Sequence, residues 1–562
     1  MARRRMGAPA ERYAQQQTQN ATGRSIPAPV SGWNARDPIA AMKPGDAYQL
    51  DNWICRPGYV EIRRGFLGHV TGFEEPIETL LPYRAGNNEK MFAASAGSIY
   101  DVSDPSDGLP AASYTGLTSN RIQTANFAND AGIFMIGVNG ADTPFKYNGS
   151  AFSTTVITGT SGSITLDPVD LIDVMVHKRR LFFIEKNGLR VWFLDADAIA
   201  GAAGLLDLGP VFTEGGELVA MGVWSPEGPT NAIQALAVFI TDQGQVAVYA
   251  GDDPSDADNW RLVGVYAIAR PLGRRAILRT ASDLIVMTYD GAVPLSVISA
   301  AKREDQRDLA ITSRIQNAFA VASNAYAENF GWEAQIYPSG QLAIINVPVT
   351  ELGTSRQFVQ STQTGKWSQF IGLDAVTWCY VNNTMYFAGT DGSGAIGVWQ
   401  WDTGGSDNGT AIQCDAITAF EDYGTPGRQK QFTLLRPILR AATSLRPFID
   451  VLVDYQVVAP SNIPDGGEAV GSGEWGEGAW GVARWTSTQP VRLDWTSATG
   501  IGYVGAVRIR VVSNPSRSDA DAAHWDEAFF DVGVWGPDNP AYPTVRCEWI
   551  GTDLQYLTGA SL

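Results

Sequence analysis

Side chains able to do chemistry are few and scattered in this chain of 562 residues. His69 lies near Glu74 and His524 near Asp526, with His177 alone, and none has a nucleophile at motif spacing. Isolated hydrogen-bonded or surface histidines are the plainer reading. The connector from Gly251 to Leu262 carries Asp252, Asp253, Asp256 and Asp258, an acidic density that invites calcium. An EF-hand loop needs a central glycine and a closing glutamate, and both are missing, which leaves a solvated turn. Gly392, Gly394 and Gly397 spell a dinucleotide fingerprint in letters. The apolar run from Val398 to Trp401 reads as a strand, so no helix N-terminus follows to receive a pyrophosphate. No Gly-x-Ser-x-Gly elbow, Walker loop or His-Glu-x-x-His is present. Carboxylate pairs for glycan hydrolysis depend on spacing across strands, and 59 acidic residues supply such pairs by chance. The expectation is a protein that is not an enzyme, with no catalytic, metal or cofactor residues, and a carboxylate-pair glycan hydrolase as a remote alternative.

Fifty-nine acidic residues against 41 basic ones give a formal charge of -18. That balance disfavours a protein that grips nucleic acid phosphates, yet suits a wall that nucleic acid slides past. Cys55, Cys379, Cys414 and Cys547 form no Cys-x-x-Cys pair and read as buried free thiols. The basic start, Met1 to Met6, is followed by no apolar core, so no signal peptide is expected, and no apolar run reaches membrane-spanning length.

The elements that must carry any site are short strands around turns. Seven units each join an apolar strand, a glycine-centred turn and a second alternating strand, with turn glycines at Gly97, Gly140, Gly188, Gly244, Gly291, Gly340 and Gly392. Their loose period of roughly 49 residues is that of propeller blades. A hairpin with one apolar face cannot bury it alone, and radial stacking of small sheets supplies the burial. The fold class predicted is all-β, a β-propeller of six or seven blades with an irregular N-terminal arm and a further C-terminal β-rich module; a large β-sandwich is the alternative. Helices are expected only over Asp195 to Leu206 and over part of Glu304 to Tyr326, the latter an excursion that either meets a neighbouring subunit or shields a blade edge. The domain boundaries read as 1–30 for the arm, 31–72 for an ordered anchoring segment, 73–405 for the propeller and 406–562 for the C-terminal module, which could partly complete the propeller.

The arm holds Arg3, Arg4 and Arg5 and a glutamine-rich run, with little to bury. It is followed by Trp33-Asn-Ala-Arg36-Asp37-Pro, then Ala47-Tyr48-Gln-Leu-Asp-Asn-Trp53, then Gly58-Tyr-Val-Glu-Ile-Arg-Arg-Gly65. Arg36 beside Asp37, and Glu61 beside Arg63 and Arg64, read as local surface ion pairs of little stabilising value. These three stretches resemble the N-terminal signature of head-to-tail junction proteins of short-tailed bacteriophages, the nozzle, tail hub or packaged-DNA stabilisation family. The resemblance implies a propeller, a six-fold ring below portal and adaptor, and a DNA exit channel at its centre; the family offers no catalytic motif to transfer.

In the C-terminal module, strands are expected over Ile412 to Phe420, Gln431 to Leu435, Ile449 to Gln456, Val491 to Trp495 and Ala506 to Val512. Arg428, Lys430 and Arg436 form a basic band suited to centring a duplex, and the loop from Pro460 to Gly481 presents Trp475 and Trp480. With Arg3, Arg4, Arg5, Trp33, Arg36, Asp37, Tyr48 and Trp53, these two tryptophans are the expected assembly contacts. The resulting expectation is a homo-hexameric virion protein at the head-to-tail interface, partnered by an adaptor or portal-proximal ring, that helps retain packaged DNA and guides its ejection without reading sequence. A propeller-based receptor- or glycan-binding tail protein is the alternative.

Overall fold

The computed structural model describes residues 21–86, 88–226, 235–280, 283–441, 447–458, 491–492, 495–513 and 547–559. Among them, seven small antiparallel sheets stand around a common axis. Their innermost strands are Thr79–Ala85, Gln123–Asn129, Leu171–His177, Leu218–Trp224, Ile277–Arg279, Glu333–Tyr337 and Asp374–Val381. Each touches the next, and the seventh touches the first, so the ring is closed. This is a seven-bladed β-propeller, numbered here in chain order from the blade that begins at Thr79. The predicted radial burial is what holds it: between blades 3 and 4, for example, Phe182, Phe193, Leu218, Met221 and Phe239 share one buried cluster.

The last blade closes the circle with chain from the other side of the repeat region. Phe66–Phe73 pairs with Ile396–Trp401 as the outer strand of blade 7. The expected boundary at residue 72 therefore falls inside a blade strand, and the expected C-terminal module adds Ser406–Asp407 and Thr410–Ala411 to the edge of the same sheet, beside Phe66. Blade 5 has only three strands, ending at Gly291–Pro294. Helix Leu295–Ala300 and the turn Ile311–Ile315 occupy its outer position. Thr312 Oγ1 accepts from the Ala292 amide at 3.0 Å. An exposed edge is thereby covered, which is the shielding role between the two open for this excursion, and Gln316–Tyr326 is helical as predicted.

Turn chemistry follows the sequence at Gly97, Gly140, Gly244 and Gly291, which adopt positive φ, and departs from it at Gly188, Gly340 and Gly392, where Gly394 takes the positive φ in the last turn. Gly244 adopts φ +86°, and a Cβ there would lie 2.4 Å from the Ile268 carbonyl oxygen. Gly244→Ala is expected to destabilise by roughly 1–3 kcal/mol, read as a lower urea midpoint with unchanged slope. At Gly188 the left-handed residue is instead the neighbouring Asn187, φ 56°. Gly340 lies between the first and second strands of blade 6, Glu333–Tyr337 and Leu342–Pro348, whereas the other six glycines lie between second and third strands or just past that turn. The helical excursion before blade 6 shifts its phase. The predicted helix over 195–206 is overturned: Gly201–Asp207 is a strand paired with Arg190–Phe193, because the ladder outweighs the local helix preference of an alanine- and leucine-rich stretch.

Segments from the N- and C-terminal parts of the described chain meet in a second lobe, a β-sandwich. One sheet orders Asp46–Asp51, Gln413–Thr418, Gly505–Val512 and Phe448–Val453. The other contains Thr22–Pro27, Tyr59–Ile62, Lys430–Ala441, Thr496–Gly502 and Cys547–Thr558, a strand absent from the sequence expectation. Ile26, Leu50, Trp53, Leu435, Val507, Ile509, Trp549 and Tyr556 fill the space between them. The first sheet continues into blade 6 through Asp51 opposite Gln369 in Trp367–Ile371. All four cysteines are free and buried. Among the described residues no helix is long and apolar enough to cross a membrane.

Candidate functional site: the central channel and the joint between lobes

Inner strands bring together side chains that no sequence spacing connects. Arg275, at the start of blade 5, reaches across the axis to blades 1 and 2. Its guanidinium donates to the Glu78 carbonyl at 3.2 Å, to Thr79 Oγ1 at 2.6 Å and to the Ile122 carbonyl at 3.1 Å. Glu333 of blade 6 stands 4.0 Å away, and the Phe330 ring lies 4.8 Å beneath the guanidinium. Arg121 covers Phe330 at 4.4 Å and pairs with Glu78 and Glu351. One end of the channel is thus closed by an arginine plug.

Beyond the plug lies a chamber of about 470 Å³, lined by all seven inner strands. Burial pushes the Glu333 carboxyl above its ordinary range and pulls the Arg275 guanidinium below its own, while their mutual attraction opposes both shifts. Glu333 Oε2 also accepts from Thr377 Oγ1 at 2.9 Å and the Trp378 amide at 3.3 Å. Asp173 is buried and pushed up to about 7 by desolvation, against hydrogen bonds from the Val174 and Met221 amides and the attraction of Arg274. Its folded value exceeds the roughly 3.9 of a free carboxyl. The folded state therefore binds this proton more tightly, a stabilisation complete below about pH 3.9 and lost as pH rises through about 7. Relative to Asp173→Asn, the native protein is expected to gain stability as pH falls from 8 to 5, measured by paired urea titrations; a pH-independent difference would contradict it.

The other candidate chemistry is structural. His69 and His177 are buried, each with Nε2 2.9 Å from a backbone carbonyl oxygen, of Val102 and Gly251, and burial lowers both from their ordinary value. His524 lies outside the described residues. In the aspartate-rich connector, Asp253 pairs with Arg180 at 2.5 Å and Asp256 closes its own turn. Among the described residues no cluster of three or more His, Cys, Asp or Glu is placed to hold a metal ion.

The second constellation is the joint between the lobes, and sequence reasoning missed it. Arg63, 1 % exposed, sends both terminal nitrogens to Asp407 at 2.8 and 2.6 Å and Nε to Asn52 Oδ1 at 2.9 Å. Asn52, at φ 63°, accepts from the Ile371 amide at 3.0 Å and donates to the Gln413 carbonyl at 2.7 Å. The expected surface pairing of Arg63 with Glu61 is corrected: Glu61 pairs with Arg56 at 2.7 Å, and Arg63 is a buried strut. Its signal was the polar pair Asp51-Asn52 set between apolar strand residues.

Most of the predicted contact residues are engaged within the chain. Trp53 is fully buried, its ring 6.1 Å from Trp549. Trp33 packs against Phe358 at 5.6 Å. Arg36 pairs with Asp37 as expected, at 2.9 Å, and Asp37 also faces Arg314 at 3.5 Å. Tyr48 remains on the surface, 36 % exposed. Arg3, Arg4, Arg5, Trp475 and Trp480 lie outside the described residues. The basic band is corrected in two places. Lys430 is 0 % exposed and donates to the carbonyls of Thr425, Arg428 and Tyr503, so it reaches no phosphate. Arg436 pairs with Asp553 and lies 4.7 Å over Trp495. Arg428 is exposed, with no ion pair among the described residues.

No family model matches this chain, and no curated protein matches its sequence. Among solved structures it is similar to BBS1N, in a crystal with ARL6DN soaked with lead, at 11% identity and a TM-score of 0.37 over 60% of this chain and 98% of that one. It is also similar to the Cps50 (Swd1) β-propeller domain of Myceliophteria thermophila, at 11% identity and a TM-score of 0.37 over 60% of this chain and 99% of that one.

Proposed function

We propose that this chain is a structural virion protein, six copies of which close into a nozzle or hub ring at the phage head-to-tail junction. The observation that carries the reading is the joint of Asn52, Arg63 and Asp407. Two of its three residues, Asn52 and Arg63, lie in the stretches that bear the family resemblance, and with Asp407 they tie propeller to sandwich. A ring is built by repeating one heterologous contact, and it closes at a fixed copy number only if each block keeps its shape. DNA would pass through the lumen of the ring, since the propeller's own channel is crossed by Arg275 and far too small for a duplex. A charge of -18 favours passage over gripping, because a protein that neutralises many phosphates must re-form those contacts at each step. In this role the ring retains packaged DNA and guides ejection, with an adaptor or portal-proximal ring above it and assembly in the host cytoplasm.

Native mass measurement of the full chain, alone and with a portal-adaptor complex, tests this. A hexamer retained by the adaptor is the expected result; a particle of another symmetry overturns it. Nanomolar duplex affinity at physiological salt would overturn the sliding role, and glycan affinity without ring closure would favour a receptor-binding tail protein.

A further inference from the structure

The chamber behind the Arg275 plug is cationic inside an acidic protein. Arg84, Arg274, Arg275 and Arg279 line it, against only Asp173 and Glu333. Those carboxylates are occupied by backbone amides and Thr377, and Arg275 by the plug. Among the described residues Arg84 donates one hydrogen bond, to the Tyr380 carbonyl at 2.8 Å. Arg274 and Arg279, both solvent-exposed, make no hydrogen bond or ion pair among the described residues, and partial desolvation pulls both guanidiniums below their ordinary value. Arg274 is attracted by Asp173 and Glu217, whereas desolvation alone acts on Arg279.

Strand register places two of them at one rim. Thr79 and Arg275 mark the plug, and Arg84 and Arg279 stand five and four residues further along their strands. Blades 1 and 2 keep the same level at both ends: Thr79 Oγ1 accepts from the Ile122 amide at 3.2 Å, and Asn126 Oδ1 accepts from the Arg84 amide at 3.1 Å. Blades 1 and 5 lie on facing sides of a seven-membered ring. Arg84 and Arg279 line the same chamber, and guanidinium groups are planar multi-donor partners suited to the several oxygens of a phosphate-class anion.

We propose that this chamber is a binding site for a phosphate-class dianion, held at its open rim between Arg84 and Arg279 with Arg274 lining the wall. The site is independent of ring assembly and goes beyond the structural role. Protonation of Asp173 near neutrality would leave the chamber still more cationic.

The test is calorimetric titration of the full chain with inorganic phosphate at constant ionic strength, with chloride as control. Adenosine monophosphate is titrated in parallel to separate a phosphate ester from the free ion. Saturable binding of one anion per chain is expected, weakened at least tenfold by Arg279→Ala and again by Arg84→Ala. Both side chains are exposed; circular dichroism and the urea midpoint check that the variants are folded. Tighter binding of the nucleotide identifies an ester as the natural ligand, and binding of phosphate alone identifies the free ion. Heats indistinguishable from chloride, or affinity unchanged in the folded double variant, overturn the site.

Discussion

Arg275→Met is expected to lower the unfolding free energy of the propeller by about 3–5 kcal/mol. The guanidinium satisfies two carbonyls and a hydroxyl belonging to two other blades and stands beside a buried carboxylate in a third. Methionine fills part of the volume and supplies none of the donors. The carbonyls of Glu78 and Ile122 lose their bonds to it, and Glu333 loses its nearest positive charge. Each unsatisfied buried polar group costs about 1–3 kcal/mol, so the sum is large even after relaxation. Arg275→Lys keeps the charge but cannot reach three acceptors from one ammonium in this geometry, and should fall between the two. The reading is a reduced urea midpoint together with lost hydrogen-exchange protection in Thr79–Ala85 and Gln123–Asn129. Protection unchanged in those two strands would mean that the plug does not tie the ring.

Arg63→Met carries a penalty of similar size, about 3–5 kcal/mol, because it strands Asp407 as a buried unpaired carboxylate. The effect should localise. Phe66–Phe73 begins three residues after Arg63, so blade 7 should lose its outer strand before the other blades open. Asp407→Leu on the Arg63→Met background should restore part of the loss, since an apolar pair removes the desolvation of both ions. A double-mutant cycle reads the coupling directly; additive losses with no recovery would show that the ion pair is not the joint. If the block also fails to form hexamers, rigidity and ring closure are linked as proposed.

Several features were legible because they are encoded within about a dozen residues. Gly97, Gly244 and Gly291 announce hairpins, since a residue at positive φ between two alternating strands fixes both register and face. The excursion after blade 5 was suggested by the partly helical spacing of Leu309, Ile311, Ile315 and Phe319, of which Ile315 and Phe319 are fully buried and Leu309 is exposed, but its role at the blade edge was left open. Where local signals misled, a ladder prevailed, as in Gly201–Asp207, or an insertion moved the phase, as at Gly340. The basic band illustrates a different limit. Composition places Arg428, Lys430 and Arg436 together, yet only partners distant in sequence decide that Lys430 points inward and that Arg436 is neutralised by Asp553.

Taken alone, the order of residues determined the all-β class, the repeat of glycine-hinged hairpins, the reduced state of the thiols and the acidic balance, because turn geometry, side-chain alternation and charge are properties of neighbours. Only the folded chain decided that there are seven blades, that the ring is latched by Phe66–Phe73, that Thr22–Pro27 and Cys547–Thr558 pair in one sandwich, and that Arg275 spans the axis. Those outcomes rest on contacts between segments up to hundreds of residues apart. Their partners are selected by complementary apolar faces and by the demand that every buried charge and amide find a mate, conditions that only the assembled core imposes.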